Sequence, residues 1–109
     1  MKTETTTEPQ KGHESPWSII QTRTEWAPGV IMVSTAGHGG FWISPEHLEK
    51  IPARWRDYAA SWSHGWGEQW YEEDVSAVAV GAYVLEDPTA LEILPRVEAQ
   101  YLPAVEVTP

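Results

Sequence analysis

Residues 17–35 read WSIIQTRTEWAPGVIMVST, and this stretch decides the fold. Two segments rich in β-branched and aromatic side chains flank Ala27-Pro28-Gly29, where Pro fixes φ and Gly permits positive φ. The pattern predicts an antiparallel β-hairpin, Trp17 to Trp26 against Val30 to Thr35. A Gly-rich loop, Ala36-Gly37-His38-Gly39-Gly40, then leads into Phe41-Trp42-Ile43, a short apolar run that predicts a third strand.

Helical signals follow the strands. Ser44-Pro45-Glu46 combines an N-cap hydroxyl, Pro at the first helical position and an early acid, so a helix is expected to Lys50, broken at Ile51-Pro52. Ala53 to Trp62 places Trp55, Tyr58 or Ala59, and Trp62 on one side of a second helix. Tyr71 to Leu85 fits either a helix with three acids in its first turn or a buried strand; its length favours the helix. Asp87-Pro88 opens a last helix to Leu102, with Pro95 inside it as an expected kink or split. The fold class expected is therefore α+β: an N-terminal hairpin or small three-stranded sheet packed with C-terminal helices. Residues 1–16 show no apolar periodicity and are expected to be a disordered tail, with one domain over 17–102 and a loose tail over 103–109.

Composition narrows the function classes. The chain of 109 residues has no cysteine, which excludes disulfides, thiolate zinc sites, iron–sulfur clusters and a cysteine nucleophile. The start MKTETTTEPQ lacks the order of a signal peptide and no apolar run is long enough to span a bilayer, so a cytoplasmic protein without membrane contact is expected. Of the net charge of −9, nearly all lies after Trp66, where nine acids face one base, Arg96. Such a surface repels nucleic acid and attracts basic grooves. Seven Trp lie between Trp17 and Trp70. Each is either a core ring or an interface anchor, the core being the commoner fate.

No motif points to catalysis. Gly37-His38-Gly39-Gly40 lacks the ending of a P-loop and reads more simply as a tight turn with His38 in it. His38, His47 and His64 with Glu72, Glu73 and Asp74 offer metal-ligand chemistry, but consecutive acids on a helix fan out by about 100° per step. No cofactor and no metal are expected.

Ser34-Thr35-Ala36-Gly37-His38-Gly39-Gly40 with Ile43-Ser44 and Ile51-Pro52, then Trp70-Tyr71-Glu72-Glu73-Asp74 ahead of an Ala/Val-rich run, form two islands. Their order and spacing resemble a family of small uncharacterised domains from bacteriophages, plasmids and other mobile elements. The resemblance spans Glu25 to Val84. It departs after Asp74, where this chain has Val75, Ser76 and Ala77 in place of the family's Cys, acid and Trp. It implies the setting in which small acidic proteins inhibit host defence, as anti-CRISPR or anti-restriction proteins. The leading expectation is thus a non-enzymatic inhibitor that occupies a basic surface of a host defence complex. Glu68, Glu72, Glu73, Asp74, Glu86, Asp87, Glu92 and Glu98 would pair with the partner's Lys and Arg, and Trp66, Trp70 and Tyr71 would act as anchors. The alternatives are a structural or regulatory domain that self-assembles, and a small metal- or nucleotide-dependent enzyme built on His38 and the Glu72 to Asp74 cluster.

Overall fold

The turn at Pro28-Gly29 forms as the sequence requires, with Gly29 at φ 77°. A Cβ there would also collide with the Ser44 hydroxyl, so any other residue would be strained. In the computed structural model, which describes residues 5–102, this turn joins β3 (Thr22–Ala27) to β4 (Val30–Ser34). A two-residue pair, β1 (Glu14–Ser15) and β2 (Ser18–Ile19), precedes them. β5 (Gly39–Ile43) follows, then α1 (Pro45–Leu48) and α2 (Ala53–Ser61). β6 (Trp70–Glu72) and α3 (Ala77–Ala79) come next, the latter continuing as a π-helical turn over Val80–Val84, and α4 (Pro88–Tyr101) closes the domain. The fold is α+β.

The main sheet has the order β3-β4-β5-β6, antiparallel throughout, one strand more than the sequence suggested. Alternation sorts its side chains onto two faces. Val30, Phe41, Ile43 and Tyr71 face the helices and join Trp55, Ala59, Val80 and Leu94 in the larger core. Ile31, Val33, Trp42 and Trp70 face the other way, where Ile20 completes a second core and Trp17 and Trp66 pack on it. With both faces covered, the central strands β4 and β5 read as nearly unbroken apolar runs, whereas the edge strand β3 is polar and mostly exposed. Gly39 and Gly40 are buried strand residues of β5 and not part of a loop. A Cβ on Gly40 would strike the Trp17 ring, the Tyr71 carbonyl and the Glu72 backbone.

Three further expectations are corrected. First, residues 5–16 are held by the domain; residues 1–4 and 103–109, the rest of the expected tails, lie outside the described residues. Thr5 exchanges two hydrogen bonds of 2.9 Å with the Gln69 side chain at the start of β6. Arg23 on β3, at the opposite edge, donates to the Pro9 carbonyl and pairs with Glu8, both at 2.7 Å. Gly12 and His13 bond the Ile20 backbone at 2.9 Å. Backbone bonds and the buried Pro9 ring supply the ordering that an apolar periodicity would otherwise provide. Second, the segment from Tyr71 begins as strand β6. Trp70 and Tyr71 point to opposite faces and pair with Trp42 and Phe41. The helix starts at Ala77, after a turn in which the Glu72 carboxylate accepts from the N–H groups of Asp74, Val75 and Ser76. Third, Pro95 does not split the last helix: α4 runs through it from Pro88 to Tyr101.

The caps are mixed. Asp87 caps α4 as expected, accepting from the Ala90 N–H at 2.9 Å. Ser44 has the extended backbone of an N-cap, but its hydroxyl donates to Glu46 and makes no bond to the helix backbone.

Candidate functional site

Where α2, the turn after β6 and the end of α4 converge, they leave an open groove of about 460 Å³. Helix α2 contributes Tyr58, and Trp62 follows at its C-cap; α4 contributes Tyr101 from its last residue. Trp17 enters from the β1–β2 turn. Glu72, Asp74 and Val75 come from β6 and its following turn, His38 from the β4–β5 connection and His64 from the turn after α2. Among the described residues, four aromatic rings thus wall a groove that also holds two carboxylates and two imidazole rings.

The rings are held in place by neighbours and remain accessible. Trp55 is fully buried and stacks edge-on against Tyr58 at 5.6 Å; Tyr58 in turn lies 6.2 Å from Trp62. Trp62 is 56% exposed and Tyr101 41%. Trp17 meets Trp70 edge-on at 5.7 Å, which fixes one face and leaves it half-buried. Burial raises the Tyr58 hydroxyl pKa above its ordinary value, and the negative charge of Glu72 adds to the shift, followed by Tyr101. Glu72 is itself immobilised by its three backbone N–H bonds, whereas Asp74 is exposed.

The His38 backbone belongs to a tight turn: its carbonyl accepts from the Thr35 N–H at 2.8 Å and from the Thr35 hydroxyl at 2.7 Å. Its side chain is exposed. Among the described residues, neither His38 nor His64 hydrogen-bonds a carboxylate through its ring, and no three His, Asp or Glu side chains gather as metal ligands.

The residues expected to bind a partner separate into two groups. Tyr71 is fully buried and Trp70 is 5% exposed, so neither can anchor a surface contact; both are core rings of β6, and Trp66 is half-buried against Trp70 at 5.9 Å. The Tyr71 hydroxyl lacks a hydrogen-bond partner among the described residues, and burial, then the charge of Glu68, raises its pKa well above the ordinary range. Glu98 is interior: it accepts from the Trp55 indole at 2.9 Å and the Tyr83 hydroxyl at 2.8 Å and pairs with Arg54 at 3.0 Å. Glu72 and Asp87 cap turns, and Glu68 lies 3.7 Å from Arg56. Glu73, Asp74, Glu86 and Glu92 are exposed. Sequence reasoning missed Tyr58, Trp62 and Tyr101 as groove residues. The Trp55, Tyr58, Trp62 spacing was the available signal, and it reads equally well as a buried face.

Fold and site together define a small α+β domain with an aromatic groove beside a four-stranded antiparallel sheet. The chain belongs to the family described as Domain of unknown function (DUF7007), which it matches over residues 10–104. The match begins inside the N-terminal segment that the structure places against the sheet. No curated protein and no solved structure shows significant similarity to the chain. Among the described residues no helix is long and apolar enough to cross a membrane.

Proposed function

We propose that this domain is a protein-binding module that recognises a basic surface, and that it serves in the cytoplasm as an inhibitor of a host defence complex of the CRISPR or restriction type. One observation carries the reading: exposed aromatic rings, Trp62 and Tyr101, share a groove with the carboxylates of Glu72 and Asp74. Interfaces draw their affinity from a few aromatic anchors, and complementary charge steers the approach. Glu73 and Asp74 extend the negative surface at the turn, while Glu86 and Glu92 lie exposed elsewhere in the C-terminal half.

The test is direct. Purified CRISPR effector and restriction complexes are offered the protein with and without their nucleic acid, and binding is measured across salt concentration. The reading expects binding that nucleic acid competes away and that weakens as salt rises. Binding unaffected by both would overturn it.

Self-assembly is a second reading, favoured by the edge strand β3. Its bulge between Glu25 and Ala27 leaves Trp26 58% exposed, in edge-on contact with Phe41. Edge strands with exposed rings invite pairing. A mass that rises with concentration in sedimentation, and falls back in Trp26→Ala, would support it.

A further inference from the structure

We propose that the groove between α2, the β6 turn and α4 is a receptor for an arginine side chain presented by a partner protein. The inference rests on the proposed function and names what the groove would hold.

The chemistry of the lining points to a cationic guest. Aromatic faces attract cations through their ring quadrupoles, and the groove offers Trp62, Tyr101, Tyr58 and the free side of Trp17. Its two carboxylates have no cationic partner: among the described residues, Arg23, Arg54 and Arg56 pair with Glu8, Glu98 and Glu68, and no Lys or Arg pairs with Glu72 or Asp74. Among the described residues, no Lys or Arg lines the groove. Glu72 is also preorganised, because the three backbone N–H groups that hold it would leave its carboxylate in place before and after a guest arrives. A negative site with fixed geometry costs little to organise on binding. The other titratable side chains on the lining are His38, His64 and the hydroxyls of Tyr58 and Tyr101.

Arginine suits this arrangement better than lysine. A guanidinium is planar, is more weakly hydrated than an ammonium, stacks on aromatic faces and can offer a fork of N–H groups to a carboxylate at the same time. Asp74 is the carboxylate with free acceptor sites, and Trp62 is the most exposed ring of the lining. The groove volume of about 460 Å³ accommodates the side chain together with the backbone that carries it.

The experiment uses the full chain with two peptides of equal charge, alternating Gly-Arg and alternating Gly-Lys, four repeats each. Titrations are followed by the indole N–H signals of the seven Trp in a nitrogen-labelled sample. The proposal expects the arginine peptide to bind more tightly and to move the Trp62 and Trp17 signals first. Trp62→Ala and Asp74→Asn should each weaken binding about five- to tenfold, the scale of a cation–π or charge-assisted contact. Glu92→Gln, an exposed acid outside the groove, should leave it unchanged. Equal affinity for the two peptides overturns the stacking argument. Binding that ignores Trp62→Ala, or that Glu92→Gln weakens as much as Asp74→Asn, overturns the groove as the site, although a diffuse basic-partner reading would survive. Absence of peptide binding also overturns it, and the assay on defence complexes then judges the broader reading separately.

Discussion

Replacing Glu98 tests whether this acid belongs to the fold or to a partner surface. Its carboxylate receives the Trp55 indole N–H, the Tyr83 hydroxyl and the Arg54 guanidinium, and the Trp55 ring is fully buried. In Glu98→Ala the Trp55 donor is stranded in the core, at a cost of about 1–3 kcal/mol. Tyr83 loses a charge-assisted bond but can turn toward water, and the Arg54 pair, with Arg54 well exposed, contributes at most about 1 kcal/mol. We therefore expect a loss of about 2–4 kcal/mol, dominated by the stranded indole. For a domain of this size each kcal/mol lowers Tm by about 4–8 °C, so the variant should melt at least about 8 °C lower. Glu98→Gln keeps an acceptor and should lose roughly half as much. Urea unfolding followed by Trp fluorescence gives both numbers. If Glu98→Ala melts within a degree or two of the parent, the interior network contributes nothing and Glu98 returns to the list of surface acids available to a partner.

Three further outcomes follow from the same structure. Gly40→Ala should destabilise the protein strongly, because its Cβ meets the Trp17 ring and the Tyr71 and Glu72 backbone; chemical denaturation reads the effect, and unchanged stability would mean β5 and β6 are not in contact there. Burial and the bond to Glu98 raise the Tyr83 pKa to about 12, and burial raises that of Tyr71 further. Above about pH 10 the unfolded chain loses these protons first, so the stability these two tyrosines contribute is fully present below that pH and should be lost as pH rises through 12; tyrosinate absorbance and melting measured together check the coincidence. Deleting residues 1–13 removes the Thr5, Glu8, Pro9, Gly12 and His13 contacts and should lower Tm measurably, whereas His38→Ala, in an exposed side chain, should leave it within error.

The hairpin, the third strand, α1, α2 and α4 were legible because each carries a local signal: the Pro28-Gly29 turn, the Pro45 and Pro88 starts and the Asp87 cap. β6 was not legible. Three residues are too few for a period to show, and what makes them a strand is the β5 backbone beside them. The ordering of residues 5–16 was hidden for a similar reason, since a segment fixed by main-chain bonds to distant residues leaves no pattern in its own side chains. The groove was half visible. The Glu72 to Asp74 acids stood out, but only the three-dimensional arrangement brings Tyr58, Trp62 and Tyr101 to them and turns Tyr71 inward.

The placement of the acids also changes what an inhibitor of this kind would look like. Mimicry of a phosphate backbone needs a row of free carboxylates at regular spacing, and the sequence places nine acids after Trp66. The fold uses several of them internally: Glu98 holds Trp55 and Tyr83, Glu72 organises the turn after β6, Asp87 starts α4 and Glu68 faces Arg56. Those exposed between Trp66 and Leu102 are Glu73, Asp74, Glu86, Asp87 and Glu92, on separate turns and a helix, and of these Asp87 is engaged as the cap of α4. Dispersed charge steers an encounter without specifying its geometry. Specificity in the proposed complex must then come from shape and from rings, and the groove sets the rings of Trp62, Tyr101 and Tyr58 with the Asp74 carboxylate. A partner that presents an arginine there would satisfy both the charge and the stacking surface, whereas a smooth basic groove evolved for nucleic acid would meet only the charge. The ratio of the effects of Trp62→Ala and of added salt on binding to any captured complex therefore separates the two mechanisms. A dominant Trp62 effect marks recognition of a particular side chain, and a dominant salt effect marks mimicry of the nucleic-acid backbone.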